Sequence, residues 1–299
     1  MNRRHFLHTL AAGAGGVLLA GAAAGSKFRF HYMLASSMYG DLPLATILPE
    51  VKKTGASSID LWPKKHGTQR EEIDAIGHDR FAEMLREHGI TLGCITRYDL
   101  GPFRLDDEIE VAQKLGAKTL VTGGSGNARL TGEELKAEVR KFVEKLKPSA
   151  AKAAGRGMTI AIENHGNNVI DSPDSLRWLA EAAQPGMGIA LAPYHLPQDT
   201  TLLAALIRDI GPKLTLFYAW EHGLGCTKPM PKEEELQQMP GRGKLDFKPL
   251  IAALAEIGFA GPTEIFMHPT PRGIPILETA EKVTSEIGRA RVYLESLIP

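Results

Sequence analysis

The sequence predicts a single (β/α)₈ barrel, an α/β fold in which eight parallel strands close on themselves inside a ring of helices. One phrase recurs seven times: a helical stretch, a glycine, then a short apolar strand. Its copies are VKKTGASSIDLW, LREHGITLGCI, AQKLGAKTLVT, AKAAGRGMTIAIEN, AEAAQPGMGIALA, IRDIGPKLTLFYAW and LAEIGFAGPTEIFMH. An eighth strand, FRFHYML, opens the series with no helix before it. Strands alternating with helical patterns imply βαβ units and a parallel sheet. Eight such units over about 270 residues match the count and size of a closed barrel. Active sites in these barrels lie at the C-terminal strand ends, so the repeat also says where chemistry belongs.

The strands read as Phe28–Met33, Ser58–Trp62, Thr91–Thr96, Thr119–Thr122, Met158–Glu163, Gly188–Ala192, Leu214–Trp220 and Thr263–Met267. The helices between them carry the 3.6-residue period. In Glu133–Ala151, Leu135, Val139, Phe142, Val143 and Leu146 form one apolar stripe. Asp106-Asp107 and Asp171-Ser172-Pro173 have the character of helix starts, with Pro173 suited to a first turn. The longest connection, Gly223 to Pro249, is read as a lid or rim loop, since long loops tend to be functional.

With 299 residues, 43% hydrophobic and 23% charged, the chain suits one barrel spanning 26–299. Thirty-five basic residues balance 35 acidic ones and no basic stripe stands out, which argues against a nucleic-acid partner. Cys94 and Cys226 make no disulfide framework, although a bond between them stays open in an oxidising compartment. A homo-oligomer is compatible with this composition.

Residues 1–25 are a different kind of sequence. Arg3-Arg4, then Phe6-Leu7, then an uncharged Ala/Gly/Leu run ending Ala22-Ala23-Ala24 resemble a bacterial Tat export signal. The run is short and rich in Gly and Ala, so a stable membrane anchor is not expected. The expectation is a periplasmic or otherwise exported protein.

Side-chain alternation along the strands selects the rim residues. On strand five Thr159, Ala161 and Glu163 share a face opposite Met158, Ile160 and Ile162. The branched apolar face suits the helices, so Glu163 points into the barrel mouth. Gly188, Ala190 and Ala192 point inward from strand six; Tyr218, Trp220 and His222 share a face of strand seven, with Glu221 opposite; Glu264, Phe266 and His268 share one of strand eight. Glu163, His165, His195, His222, Glu264 and His268 therefore converge on one rim, a set suited to a divalent metal or to acid–base chemistry. A carboxylate in an apolar strand is costly to bury unpaired, which singles out Glu163 and Glu264. His78 and His88 read as helix-surface residues. Trp62, Tyr98, Tyr194 and Trp220, at or just past strand ends, either stack on sugar faces or seal the barrel top.

IDLW on strand two, AIENHG on strand five, YHL after strand six and GxGxxDF before the last helix pair resemble the xylose-isomerase-like barrel superfamily, often called sugar phosphate isomerase/epimerase, over about residues 27–295. The resemblance implies an isomerase, epimerase or related lyase. It also implies a divalent metal (Mn, Mg, Co or Zn) held by Glu, Asp, His and Glu on strands five to eight. Glu163 and Glu264 match the two glutamates, and His195 matches the histidine of the strand-six Asp-x-x-His pattern. Ala192 stands where that pattern has Asp, and Tyr218 where strand seven has His. Three arrangements remain open. Nearby histidines (His195, His222, His165 or His268) complete a rearranged metal site around Glu163 and Glu264. Alternatively the glutamates move protons without metal, with His195 as electrophile, or the chain is a noncatalytic sugar-binding barrel.

Endonuclease-IV-like activity is set aside for want of a denser ligand cluster and a basic surface. Glycoside hydrolysis is set aside for want of a strand-four glutamate. The glycine phrases Gly123-Gly124-Ser125-Gly126 and Gly241-Arg242-Gly243 lack a nucleotide-binding context and read as loops. Arg242 is a candidate contact for an anionic group, beside Trp62, Tyr194 and Trp220 as candidate contacts for a small carbohydrate.

Overall fold

A computed structural model describes residues 27–299; the segment read as an export signal lies outside them. Eight parallel strands, β1 (His31–Ala35), β2 (Ser58–Leu61), β3 (Thr91–Thr96), β4 (Thr119–Gly123), β5 (Thr159–Glu163), β6 (Met187–Leu191), β7 (Leu214–Ala219) and β8 (Pro262–Ile265), follow one another around a closed barrel. Closure is made by β8 pairing with β1, His31 opposite Pro262. The first strand begins three residues later than the alternation predicts. Phe28 and Phe30 precede the β8 pairing and instead pack edge to face with each other, Phe30 in turn stacking on Tyr32.

Ten α-helices lie among the described residues: α1 (Leu44–Val51), α2 (Gln69–Ile76), α3 (His78–His88), α4 (Asp106–Leu115), α5 (Gly132–Ala154), α6 (Pro173–Ala182), α7 (Thr200–Ile210), the short α8 (Lys232–Glu235), α9 (Lys248–Glu256) and α10 (Ala280–Glu295). The predicted start of α6 is built as a capping box, Ser172 and Ser175 bonding each other's backbone N–H with Pro173 in the first turn. The stripe on α5 is buried as its spacing requires. Ile160, Ile162, Ile189 and Leu191 are fully buried between sheet and helices. On the opposite face of β6, a side chain at Gly188 would collide with Thr215, so only glycine fits between β5 and β7 there.

Two register slips interrupt the ladders, between Ile59 and Asp60 on β2 and between Ile189 and Ala190 on β6. Such irregularities re-aim side chains and recur beside active sites. The 223–249 connection is folded into short helical turns and bonded to the β8 loop: Gln238 Nε2 donates to the His268 carbonyl at 2.9 Å, and Glu235 Oε1 accepts from Thr270 N at 2.7 Å. Cys94 is buried in β3 and Cys226 is a separate thiol on the rim, so the two form no disulfide. Among the described residues no helix is long and apolar enough to cross a membrane.

Candidate active site

The floor of the mouth is acidic. Glu163, the last residue of β5, is 3% exposed, and Glu264 on β8 has no exposure at all. A third acid, Asp60 on β2, is equally buried. Asp60 Oδ2 accepts from the Thr96 hydroxyl at 2.7 Å, while its Oδ1 has no partner. Both oxygens of Glu264 and Oε2 of Glu163 are also buried without a hydrogen bond. Burial pushes the Asp60 carboxyl up to about 7 and the Glu163 carboxyl up to about 8, where the charge of Asp60 adds to the effect. Glu264 is raised well above the usual range by burial and by the other two acids. The hydroxyls of Tyr98 and Tyr218 stand beside Glu163 and favour its charged form, although neither completes a hydrogen bond of good geometry.

Above this floor the rings form a closed circuit. Trp62 faces Tyr98 (6.3 Å between centroids), Tyr98 faces His165 (5.8 Å), and His165 faces His195 (4.2 Å). His195 meets Trp220 (5.1 Å), Trp220 meets His268 (5.4 Å), and His268 meets His66 (4.5 Å), which returns to Trp62 (5.2 Å). Phe266 bridges the circuit, 5.5 Å from Trp62 and 5.0 Å from Trp220. Tyr194 stacks behind Trp220 at 4.0 Å and donates its hydroxyl to the Gly223 carbonyl. Burial holds His195 down to about 3 and His66 down to about 4, and depresses His268 strongly. These imidazoles are neutral near pH 7 and can donate or accept a hydrogen bond. A shallow cavity of about 250 Å³ opens beside Trp62, His66, Tyr98 and Asp99.

The fold thus brings together Glu163, Glu264, His195, Trp62 and Trp220, with His165 and His268. Tyr194 packs one layer behind. His222 is exposed and turned outward, its Nδ1 set 3.2 Å from the Tyr194 carbonyl. Arg242 does not join the mouth, because Glu286 on α10 holds its guanidinium through two bonds of 2.7 and 2.6 Å. The glycines around it serve Glu221, whose carboxylate accepts from the N–H groups of Gly243 and Leu245. A side chain at Gly243 would run into that carboxylate.

The two departures from the expected metal pattern are built into the packing. Ala192 is fully buried, and its backbone N–H and carbonyl are both taken by the Asn164 side-chain amide. Tyr218 is fully buried with an unpartnered hydroxyl. Among the described residues no three His, Cys, Asp or Glu side chains are placed to hold a metal ion. Of the expected set Glu163, His195, His222 and Glu264, His222 is exposed, and Ala192 and Tyr218 supply neither the carboxylate nor the imidazole that the resemblance implies.

Asp60, absent from the rim set that alternation selects, carries the same signal as the glutamates: an acid in an apolar strand, sharing a face with Ser58 and Trp62. His66 and Arg272 lie in loops and had no such signal.

The profile of the Xylose isomerase-like TIM barrel family matches residues 48–285, and the chain belongs to that family. Solved structures share its fold at low identity. D-psicose 3-epimerase of Clostridium cellulolyticum H10, solved with D-tagatose, superposes with a TM-score of 0.66 at 15% identity, covering 90% of this chain and 99% of its own. The probable 3-DHS dehydratase AsbF of Bacillus anthracis gives 0.64 at 13% identity, with the same coverage. The IOLI protein with a bound zinc atom gives 0.62 at 16%, covering 90% of this chain and 96% of its own. No curated protein matches the chain in sequence.

Proposed function

We propose that the protein is an isomerase, epimerase or related lyase that acts on a small carbohydrate or keto-sugar by taking a proton alpha to a carbonyl. The observation that carries this is Glu163: a strand-end carboxyl poised at about 8, beside two phenol hydroxyls and under a circuit of aromatic faces. A carboxylate of raised pKa is a stronger base, and one near the working pH serves in both directions of a proton transfer. The ionised form removes the alpha proton, and the electron pair passes to the carbonyl oxygen. Neutral His195 donates a hydrogen bond to that oxygen, as does the Tyr218 hydroxyl. Return of the proton to the same carbon from the other face gives an epimer, and delivery to the neighbouring carbon gives an isomer. Loss of a beta hydroxyl with a proton gives the dehydrated product. Glu264 is the second carboxyl of the cluster and supplies the opposing proton. The epimerase and the dehydratase of the same fold support the reaction class.

A second reading, a noncatalytic sugar-binding barrel, is favoured by one observation: Glu264 has no exposed surface. Proton exchange separates the two. Keto-sugars incubated with the protein in deuterated water are expected to gain deuterium alpha to the carbonyl, and Glu163→Gln to lose that exchange about a hundredfold or more. Saturable sugar binding with no exchange by wild type would establish the binding barrel instead. Export through residues 1–25 belongs to the same proposal, and Arg3→Lys with Arg4→Lys is expected to leave the precursor in the cytoplasm.

A further inference from the structure

Arg272 lies half-buried in the loop after β8, at the C-terminal end of the barrel. Among the described residues it is the one arginine that is partly buried yet has no acidic partner. Arg70, Arg97, Arg156, Arg177, Arg289 and Arg291 are all in ion pairs, and the remaining unpaired arginines are on the exposed surface. Its own contacts are both uncharged, the Pro269 carbonyl at 2.7 Å from Nη1 and the Cys226 sulfur at 3.2 Å from Nη2. Most of the guanidinium fork is left without an acceptor. It follows His268 on the loop after β8 and bonds Cys226 on the loop after β7, so it stands on the C-terminal rim of the barrel, and its charge adds to the burial that depresses His66, His195 and His268.

The polar atoms around it have the same bias. Nε2 of His195 and Nδ1 of His268 are buried with no hydrogen-bond partner. A neutral imidazole nitrogen can donate. The rim therefore presents a cation and donors, while the floor presents acids. A molecule that satisfies both ends carries an anion at one end and hydroxyl or carbonyl groups at the other.

We infer that Arg272 receives the carboxylate of a sugar acid, so that the substrate class of the site is an oxidised sugar rather than a neutral one. The planar fork suits a carboxylate through paired N–H bonds. The inference rests on the mouth being the sugar site proposed above, but not on catalysis there.

Calorimetric titration of the full chain tests it with D-gluconate, D-glucuronate, D-glucose and D-glucose 6-phosphate. Using Glu163→Gln as well as wild type keeps binding separate from turnover. The acids are expected to bind about tenfold or more tighter than glucose, and the difference to shrink with added salt. Arg272→Met removes the preference, and Arg272→Lys, which keeps the charge without the fork, retains part of it. Equal binding of acid and neutral sugar overturns the inference, as does an undiminished preference in a folded Arg272→Met protein. Tighter binding of the phosphate ester overturns the carboxylate assignment. Acid binding that depends on Arg272 without any proton exchange leaves the inference standing and removes the proposed enzyme.

Discussion

Asn164 closes both backbone polar groups of Ala192: its Nδ2 donates to the Ala192 carbonyl at 2.9 Å, and its Oδ1 accepts from the Ala192 N–H at 2.8 Å. The pair ties the end of β5 to the end of β6 at the position where the resemblance implies a metal-binding aspartate. Removing the amide leaves the buried N–H unpaired and the buried carbonyl with only the longer bond from His195 N, at 3.3 Å. Asn164→Ala is expected to lower unfolding stability by about 2 kcal/mol or more, read from denaturant midpoints.

The same geometry makes a prediction about metal. Wild type is expected to show no thermal shift with Mn²⁺, Co²⁺ or Zn²⁺, because Ala192 and Tyr218 supply neither a carboxylate nor an imidazole. The double variant Ala192→Asp, Tyr218→His rebuilds the missing pair beside Glu163 and Glu264. Its melting temperature is expected to rise with added metal, since a ligand that binds only the native state stabilises it by mass action. A shift of equal size in wild type would show that the existing donors suffice.

How far this site was legible depends on which interactions are local. Alternation on β5 and β8 points Glu163 and Glu264 inward because strand period is a property of neighbouring residues. Asp60 was legible by the same count, since Ser58, Asp60 and Trp62 share a face opposite Ile59 and Leu61. Arg242 and Arg272 could not be told apart in sequence. Glu286, which binds the first, lies on a helix far along the chain, and nothing local reveals that the second lacks an acid. The glycine phrase at 241–243 has the sequence character of a loop, and the reason for its glycines is Glu221, distant in sequence and seated against it.

That seat gives a third prediction. Gly241 has φ +77°, and a side chain on Gly243 would meet both the Glu221 carboxylate and the Gln237 carbonyl. Gly243→Ala is expected to destabilise the fold by about 1–3 kcal/mol, because backbone cannot yield as a flexible side chain can. A Gly258→Ala control, where φ is +63° but space is open, separates collision from backbone strain.

Glu108 on α4 is shared by two guanidinium groups, Arg70 Nε at 2.6 Å and Arg97 Nη1 at 2.6 Å, with Arg70 and Glu108 nearly inaccessible. Arg70 extends from α2 and Arg97 follows β3, so one carboxylate joins three elements beneath the rim. Glu108→Gln keeps the volume but leaves Arg70 to Asp74 alone and Arg97 to Asp99 alone, and is expected to cost about 2 kcal/mol through the lost charge-assisted bonds. A change below about 0.5 kcal/mol would assign the network no more than surface strength.

The acid floor and the neutral histidines make opposite contributions to stability as pH changes. Burial holds Asp60 at about 7 and Glu163 at about 8, so the native state keeps protons that the unfolded chain releases above about pH 4. On that account stability falls as pH rises toward 8. His195 near 3 and His66 near 4 stay neutral in the fold while unfolded histidines protonate below about 6.5, so their contribution falls as pH drops through that range. Between about pH 6.5 and 8 the carboxyls act alone, with a slope of about 1.4 kcal/mol per pH unit for each proton of difference. Wild type is expected to lose melting temperature across that interval. Glu163→Gln, a neutral side chain of the same shape, is expected to flatten the decline, and an unchanged slope would place the titrating group elsewhere.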